Sequence, residues 1–391
     1  MQPNRRHLMQ VFALGLTSGM TTRLWANELT GYNVAAATEF LSTIPRKTGD
    51  PVVFTYALDK SPIKATTGGW ARDVTVKELP IATGIAGAHL FINAGGAREM
   101  HWHDSVEWGY IAGGNCQVTV VDPHGETEVV NLNPGDLWHF PRGHAHSVQT
   151  LGEKPCHAIL AFNDGLYSDH GTFGISDWMS RYEPAVLSKV LGVSQEIIAQ
   201  QPLGETYIMQ GPVLALDGPQ ARKARPLAPE KTHRYPLIAS TPLVQNAGGE
   251  LYLATRKEFP LAQEFSSLLL RLNAGAMQEP HWHPNANEWH YILKGKVRIT
   301  LFAPDKRVAV ADIGAGDIAY IPSNCGHSIL NIGNETAEIL GALDSGDYQI
   351  SNLPDWLSNA PRHLVANNMG ISELALPEFP KGQHIVAGVA R

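Results

Sequence analysis

The feature of this 391-residue chain that most restricts its fold is one ligand pattern that occurs twice. His101-Trp102-His103 is followed by Glu107 and, much later, by His146. His281-Trp282-His283 is followed by Glu288 and then by His327. The offsets 281 − 101, 288 − 107 and 327 − 146 are 180, 181 and 181 residues, so one inserted residue before the carboxylate accounts for the slip. A single His-x-His reads as ordinary strand residues. Two four-residue sets in register point to two metal sites on two copies of one domain.

Strand alternation turns His101 and His103 to one face and Trp102 to the other, and does the same for His281, His283 and Trp282. Packed core is the default reading of those two tryptophans. A short turn or bulge brings Glu107 and Glu288 inward. His146 and His327 reach their sites only if the sheet folds back, with Gly135 and Gly143, and Gly316 and Gly326, at the turns. The segments Val118–Val121 and Val297–Phe302 are rich in β-branched residues, and Asp122-Pro123-His124-Gly125 and Ala303-Pro304-Asp305 mark turns after them. The expectation is an all-β chain of sandwiches or barrels. Three imidazoles and one carboxylate form a mixed shell that suits Mn, Fe, Co, Ni or Zn, and softness does not choose among them. An octahedral ion held by four such groups keeps two positions for water, substrate or dioxygen.

The repeat extends past the ligands. Gly135-Asp136 aligns with Gly316-Asp317, Pro141 with Pro322, Trp108 with Trp289, Tyr110 with Tyr291 and Gly114 with Gly295. Each half ends in peripheral helices opened by an acidic-Trp pair, Asp177-Trp178 and Asp355-Trp356, running on through Val186-Leu187 and Leu364-Val365. Each then meets a break, Gly192-Val193-Ser194 or Gly370-Ile371-Ser372, where Gly ends one helix and Ser caps the next. The stretch Pro202–Pro236 has no period and reads as the connection between domains. These signals divide the chain into residues 1–26, 27–49 (an arm), 50–225 (first domain) and 226–391 (second domain).

Composition narrows the function. With 30 Lys and Arg against 37 Asp and Glu, the formal charge is −7, and no long basic run offers a nucleic-acid surface. Three cysteines without a Cys-x-x-Cys leave no thiolate metal site. A Cys116–Cys156 bridge stays open for an exported chain, against the commoner outcome of buried free thiols on strands. Residues 1–26 carry Arg5-Arg6, the apolar run Val11–Leu16 and Leu24-Trp25-Ala26. They read as an export signal, and Asn4–Gln10 resembles its twin-arginine form. The apolar run is too short to span a membrane permanently. The expectation is a periplasmic or secreted protein with no membrane span.

Gly95–Gly114 and Gly135–His146, repeated as Ala276–Gly295 and Gly316–His327, resemble the two cupin motifs. Two such domains in one chain, each with His-Trp-His, resemble the bicupin oxalate decarboxylases over about Asp50 to Ser372. The resemblance implies two tandem double-stranded β-helix (jelly-roll) barrels related by approximate twofold symmetry. It implies two manganese ions per chain, on His101, His103, Glu107 and His146, and on His281, His283, Glu288 and His327. It implies conversion of oxalate to formate and carbon dioxide, with dioxygen needed but not consumed, and leaves a homo-oligomer open. It also implies that Trp102 and Trp282 face each other across a barrel interface and relay an electron hole.

Two family positions separate the halves. The substrate-holding arginine falls on Arg98 in the first domain and on Gln278 in the second. A glutamate late in the second barrel falls on Gly341. The first site is therefore expected to be the main catalyst, with Arg98 pinning a carboxylate and stabilising negative charge. The lid departs from the family pattern. Where decarboxylases carry a Ser-Glu-Asn-Ser-like loop, this chain has Asn163–Phe173, with Asp169 in the place of the glutamate, His170 beside it, and Gly165 and Gly171 as hinges. The acid in the lid decides whether the intermediate gains a proton and leaves as formate or loses an electron to dioxygen. An oxalate oxidase making carbon dioxide and hydrogen peroxide, a bicupin dioxygenase acting on another small carbonyl compound, and a non-catalytic ligand-binding bicupin all remain as alternatives.

Overall fold

A computed structural model describes residues 52–167, 171–305 and 307–388. The proposed export signal, the arm to residue 49, and Asp169 with His170 lie outside the described residues. The chain is mostly β-sheet, with four short α-helices of six or more residues among the described residues.

Each half is a pair of facing antiparallel sheets. In the first, a seven-stranded sheet runs Arg234–Tyr235, Leu137–Phe140, Glu107–Gly113, Cys156–Phe162, Ala86–Ile92, Gly69–Val74 and Lys64–Thr66. Its partner sheet runs Thr172–Gly174, Gly96–His103, Ala145–Leu151, Asn115–Val121 and Thr127–Leu132, with Ile208–Gln210 added beside Gly96–His103. The second half repeats this plan. Asp317–Ile321, Glu288–Lys294 and Ala337–Leu343 lie in the larger sheet, and Met277–Trp282 with Gly326–Asn331 in the smaller. The alternation of β-branched and polar residues sends one face of every strand into a closed apolar interior. Ile111, Val118, Val120 and Val148 fill the first barrel, and Leu270, Val297, Ile299 and Ile329 the second.

The halves exchange edge strands. Thr55–Ala57, at the start of the first half, pairs with Ala319, Ile318 and Asp317 of the second barrel. Arg234–Tyr235, at the start of the second half, pairs with Trp138 and Leu137 of the first. A third core lies between the barrels and collects Trp108, Tyr110, Phe259, Phe265, Trp289 and Tyr320. Trp108 is fully buried there and its Nε1 donates to Ser267 Oγ at 2.5 Å.

Several expectations are corrected. The connection Pro202–Pro236 is not merely a tether, because Ile208–Gln210 and Arg234–Tyr235 both join sheets of the first barrel. Each terminal helical run breaks in two: Ile175–Ser180 and Pro184–Leu191 in the first half, Leu353–Asn359 and Arg362–Met369 in the second. Pro184 opens one later helix and Pro361 caps the other, since proline fits a helix start but not its interior. Gly192 and Gly370 do end helices in the left-handed conformation, at φ 69° and 67°. In the second barrel the turn before the last histidine is made by Asn324 at φ 63°, and Gly326 sits inside the following strand. Cys116, Cys156 and Cys325 are buried free thiols. No described helix is long and apolar enough to cross a membrane.

Candidate metal centres

Each barrel gathers one ligand set from both of its sheets. His101 and His146 are direct cross-strand partners in the smaller sheet, and His103 lies two residues along the same strand. Glu107 comes from the facing sheet, between Phe140 and Phe162 on the neighbouring strands. The second barrel repeats this with His281 opposite His327 and Glu288 across the interior. All eight residues are buried, and within each set the candidate ligand atoms lie within 4.8 Å of one another. The carboxylate oxygen Oε2 of Glu107 is 3.0 Å from His103 Nε2 and 3.5 Å from His146 Nε2. Oε2 of Glu288 is 2.9 Å from His327 Nε2 and 3.4 Å from His283 Nε2.

The tautomers suit a cation. His101, His103 and His146 direct Nδ1 to the carbonyls of Glu99, Ser105 and His144 at 2.7, 2.7 and 2.8 Å. A carbonyl only accepts, so each Nδ1 carries the proton and each Nε2 lone pair faces the site. His281, His283 and His327 do the same toward Glu279, Gln349 and Cys325. Nε2 of His146, His281, His283 and His327 has no hydrogen-bond partner. Buried imidazole nitrogens left without partners inside a ring of four donors fit a divalent ion, with the carbonyls fixing ring orientation.

The electrostatics agree. Burial holds His101 well below its ordinary range, helped by Arg98, His146 and His103. Burial likewise lowers His146, His281 and His327. Burial alone raises a carboxyl, yet the adjacent histidines override it and hold Glu107 and Glu288 well below the carboxylate range. At His283 burial acts downward and Glu288 overrides it, so that ring is raised. Two buried carboxylates are thus held toward their ionised form among imidazoles, where a cation is the natural counter-charge.

The centres differ in what surrounds them. A cavity of about 230 Å³ reaches the first, lined by His101 and Glu107, by apolar residues such as Leu90, Val148 and Phe162, and by the charged Arg98, Lys64 and Asp73. Arg98 is 5% exposed. Its Nη1 donates to the Tyr207 carbonyl at 3.0 Å, the guanidinium lies 4.3 Å from the Tyr207 ring centre, and Glu99 Oε1 is 3.7 Å away. Glu99 in turn accepts from the Tyr207 and Ser176 backbone N–H groups at 2.8 and 3.2 Å and from the Ser176 hydroxyl. Gln278, at the matching place in the second barrel, is 1% exposed and its Nε2 is unpartnered. A side chain at Gly341 would require Leu268 to shift, since a Cβ there comes within 2.8 Å of the leucine side chain.

The lid's described flanks meet the first centre. The Tyr167 ring stands edge-on to His103 at 6.2 Å and stacks on Phe162 at 3.7 Å, and Thr172 is the cross-strand partner of His103. Gly165 and Gly171, the glycines that bracket the segment, differ in their surroundings. The Gly165 backbone lies against Ala82 and Thr83, where a Cβ would approach to 2.1 Å, whereas Gly171 stands in open space. Trp102 and Trp282 are half-buried on the outer face rather than in the core. Trp102 stacks on Phe173 and meets Trp178 edge-on, and Trp282 meets Trp356. Among the described residues the two do not contact each other within the chain.

Sequence reasoning missed three groups: Tyr207 behind Arg98, and Trp138 and His290 behind the two carboxylates. Trp138 Nε1 donates to Glu107 Oε1 at 3.0 Å, and His290 Nε2 lies 3.0 Å from Glu288 Oε1. Setting Gly109 against His290 and Trp138 against Ala319 in the aligned halves was the available signal.

Known proteins resemble this chain over most of its length. A family model described as Cupin matches residues 55–199 and 237–374. The oxalate decarboxylase OxdC of Bacillus subtilis (strain 168) is 34% identical over 325 residues, covering 82% of this chain and 82% of that protein. A solved structure from work on the Mn(II) centres of Bacillus subtilis oxalate decarboxylase is 31% identical. It superposes with a TM-score of 0.79 over 88% of this chain and 91% of its own. The formate complex of Lactobacillus farciminis oxalate decarboxylase gives a TM-score of 0.79 at 30% identity, over 85% of this chain and 98% of its own.

Proposed function

The chain belongs to the bicupin oxalate decarboxylase family, and from that premise we propose that it is a manganese-dependent oxalate decarboxylase whose first centre does the chemistry. The observation that carries the assignment is Arg98. It is the buried cation of a cavity that opens on His101 and Glu107 and that the more exposed Lys64 also lines. A small dianion entering that cavity meets a fork of donors already held in place by Tyr207 and Glu99. The second centre offers a neutral Gln278 at the same position, which binds a carboxylate less strongly.

Heterolytic loss of carbon dioxide from oxalate would leave an acyl-anion-like fragment. A manganese ion held by His101, His103, Glu107 and His146 would supply redox chemistry that avoids it. The chain's own residues do the rest. Arg98 orients one carboxylate and stabilises developing charge in a site walled on its apolar side by Leu90, Val148, Leu160 and Phe162. The overall conversion of the oxalate dianion to formate and carbon dioxide takes up one proton, and we assign the delivery of that proton to Asp169. Its segment leaves from Tyr167 and returns at Thr172, both beside His103. Oxalate and dioxygen are the small-molecule partners of this reading. The residues Asn4–Gln10 support action outside the cytoplasm by the twin-arginine route.

Replacing the two aligned residues separately tests the division of labour. Arg98→Ala should abolish oxalate turnover in a chain that still holds both metals, and Gln278→Ala should be mild. Equal losses from the two changes would contradict a single catalytic centre.

A further inference from the structure

The two carboxylate ligands have different supports, and the difference is a matched exchange between facing positions. In the first barrel Trp138 is the cross-strand partner of Gly109. Its indole fills the space a side chain at 109 would need, since a Cβ there would come within 2.2 Å of the ring. From that seat Trp138 Nε1 donates to Oε1 of Glu107, the oxygen turned away from His103 and His146. In the second barrel the pair is His290 opposite Ala319. The large residue has moved to the other strand, and it again addresses the outer oxygen: His290 Nε2 is 3.0 Å from Glu288 Oε1. The inner oxygen Oε2 again faces the ligating imidazoles.

His290 is 1% exposed, and neither ring nitrogen has a hydrogen-bond partner; the 3.0 Å approach lies off the axis of a formed hydrogen bond. A buried imidazole without partners needs a reason in the fold or the function. It does not belong to the four-residue ligand set, and the metal-facing atoms of that set lie on the other side of Glu288.

We propose that His290 is the positioning residue of the second metal centre, holding Glu288 by its outer oxygen so that one oxygen is left for the ion. The first centre gives the same task to Trp138, a donor that can never accept or bind a metal itself. The assignment rests on the reading of both ligand sets as manganese sites, so the wild-type chain is its control.

The test measures manganese per chain under a competing chelator, together with the Mn(II) paramagnetic resonance signal of each centre, in wild type, His290→Leu and His290→Gln. The Leu variant should bind manganese at the second centre about 10- to 100-fold more weakly, as loss of an outer-shell partner does. Its first centre should stay full and serve as the internal check on folding. The Gln variant retains an N–H donor and should recover most of the affinity, with an altered second-centre signal. A Leu variant that holds its second manganese as tightly as wild type, with an unchanged signal, would overturn the assignment. So would a Gln variant as weak as Leu, or a Leu variant that empties both centres together. A wild-type chain that takes up no second manganese would defeat the metal reading first, and this assignment with it.

Discussion

The guanidinium carbon of Arg98 lies 4.3 Å from the centre of the Tyr207 ring, and the same arginine donates to the Tyr207 carbonyl at 3.0 Å. One residue thus holds the Arg98 guanidinium through both its ring and its carbonyl. Tyr207 does so with a left-handed backbone, φ 59°, which a tyrosine adopts only where its surroundings impose it. The adjoining strand Ile208–Gln210 and the Glu99 carboxylate impose it here.

Removing the ring tests that support. Tyr207→Leu leaves the carbonyl in place and deletes the cation–π contact, which is worth about 1–2 kcal/mol at a desolvated site. The expected result is a rise of about fivefold to thirtyfold in KM for oxalate, with a smaller change in kcat. An unchanged KM would show that Arg98 needs no help from the ring.

The barrels are locked by a second close pair. Trp289, next to the ligand Glu288, packs on Gly87 of the first barrel, where a Cβ would come within 2.2 Å of the indole. Gly87→Ala should therefore cost about 1–3 kcal/mol by overpacking a fully buried site. The check is a lowered urea midpoint without a change in slope. A midpoint equal to wild type would mean that the interface yields freely.

Acid should unfold the protein partly through His139. This ring is buried against Phe259 and Phe265, and burial, with His233 and His144 nearby, lowers its pKa from 6.5 to about 3. In the unfolded chain it takes a proton below about pH 6.5. The unfolded state therefore binds more protons between pH 6.5 and 3, and stability falls as pH drops through that window. The slope from this group is at most about 1.4 kcal/mol per pH unit. His139→Leu should flatten the fall in Tm between pH 6 and pH 4 and leave Tm at pH 7.5 within a few degrees. An unaltered pH profile would move the acid sensitivity elsewhere.

The assignment of the proton to Asp169 has the sharpest consequence for the reaction. Asp169→Asn should lower formate production at least tenfold, about 1.4 kcal/mol of barrier. Asp169→Glu, which restores the family's reach, should keep or raise it. If the Asn variant makes formate at the wild-type rate, another residue carries the proton.

The metal centres were legible in the sequence because their chemistry is local and repeated. His-x-His shares a strand face by period two, and the second copy 180 residues on removed the ambiguity of the first. Arg98 was legible by its position relative to that motif. What supports it was not. Tyr207 sits in a stretch with no periodicity, and its approach to Arg98 depends on a three-residue strand whose pairing is set by tertiary contacts. The strand exchange by Thr55–Ala57 and Arg234–Tyr235 was hidden for the same reason, since two or three residues carry too little pattern to name a partner. The outer-face placement of Trp102 and Trp282 follows from alternation, but only the fold shows the aromatic residues that meet them there.

The most direct measurement of the central claim is the product balance of the manganese-loaded protein with oxalate in air, with formate, carbon dioxide and hydrogen peroxide quantified together. One formate and one carbon dioxide are expected for each oxalate consumed, with dioxygen required but not used up and peroxide only a minor product. Two carbon dioxide molecules and one peroxide per oxalate would make the protein an oxidase. Full metal occupancy with no loss of oxalate would make it a binding protein, and either result would contradict the account.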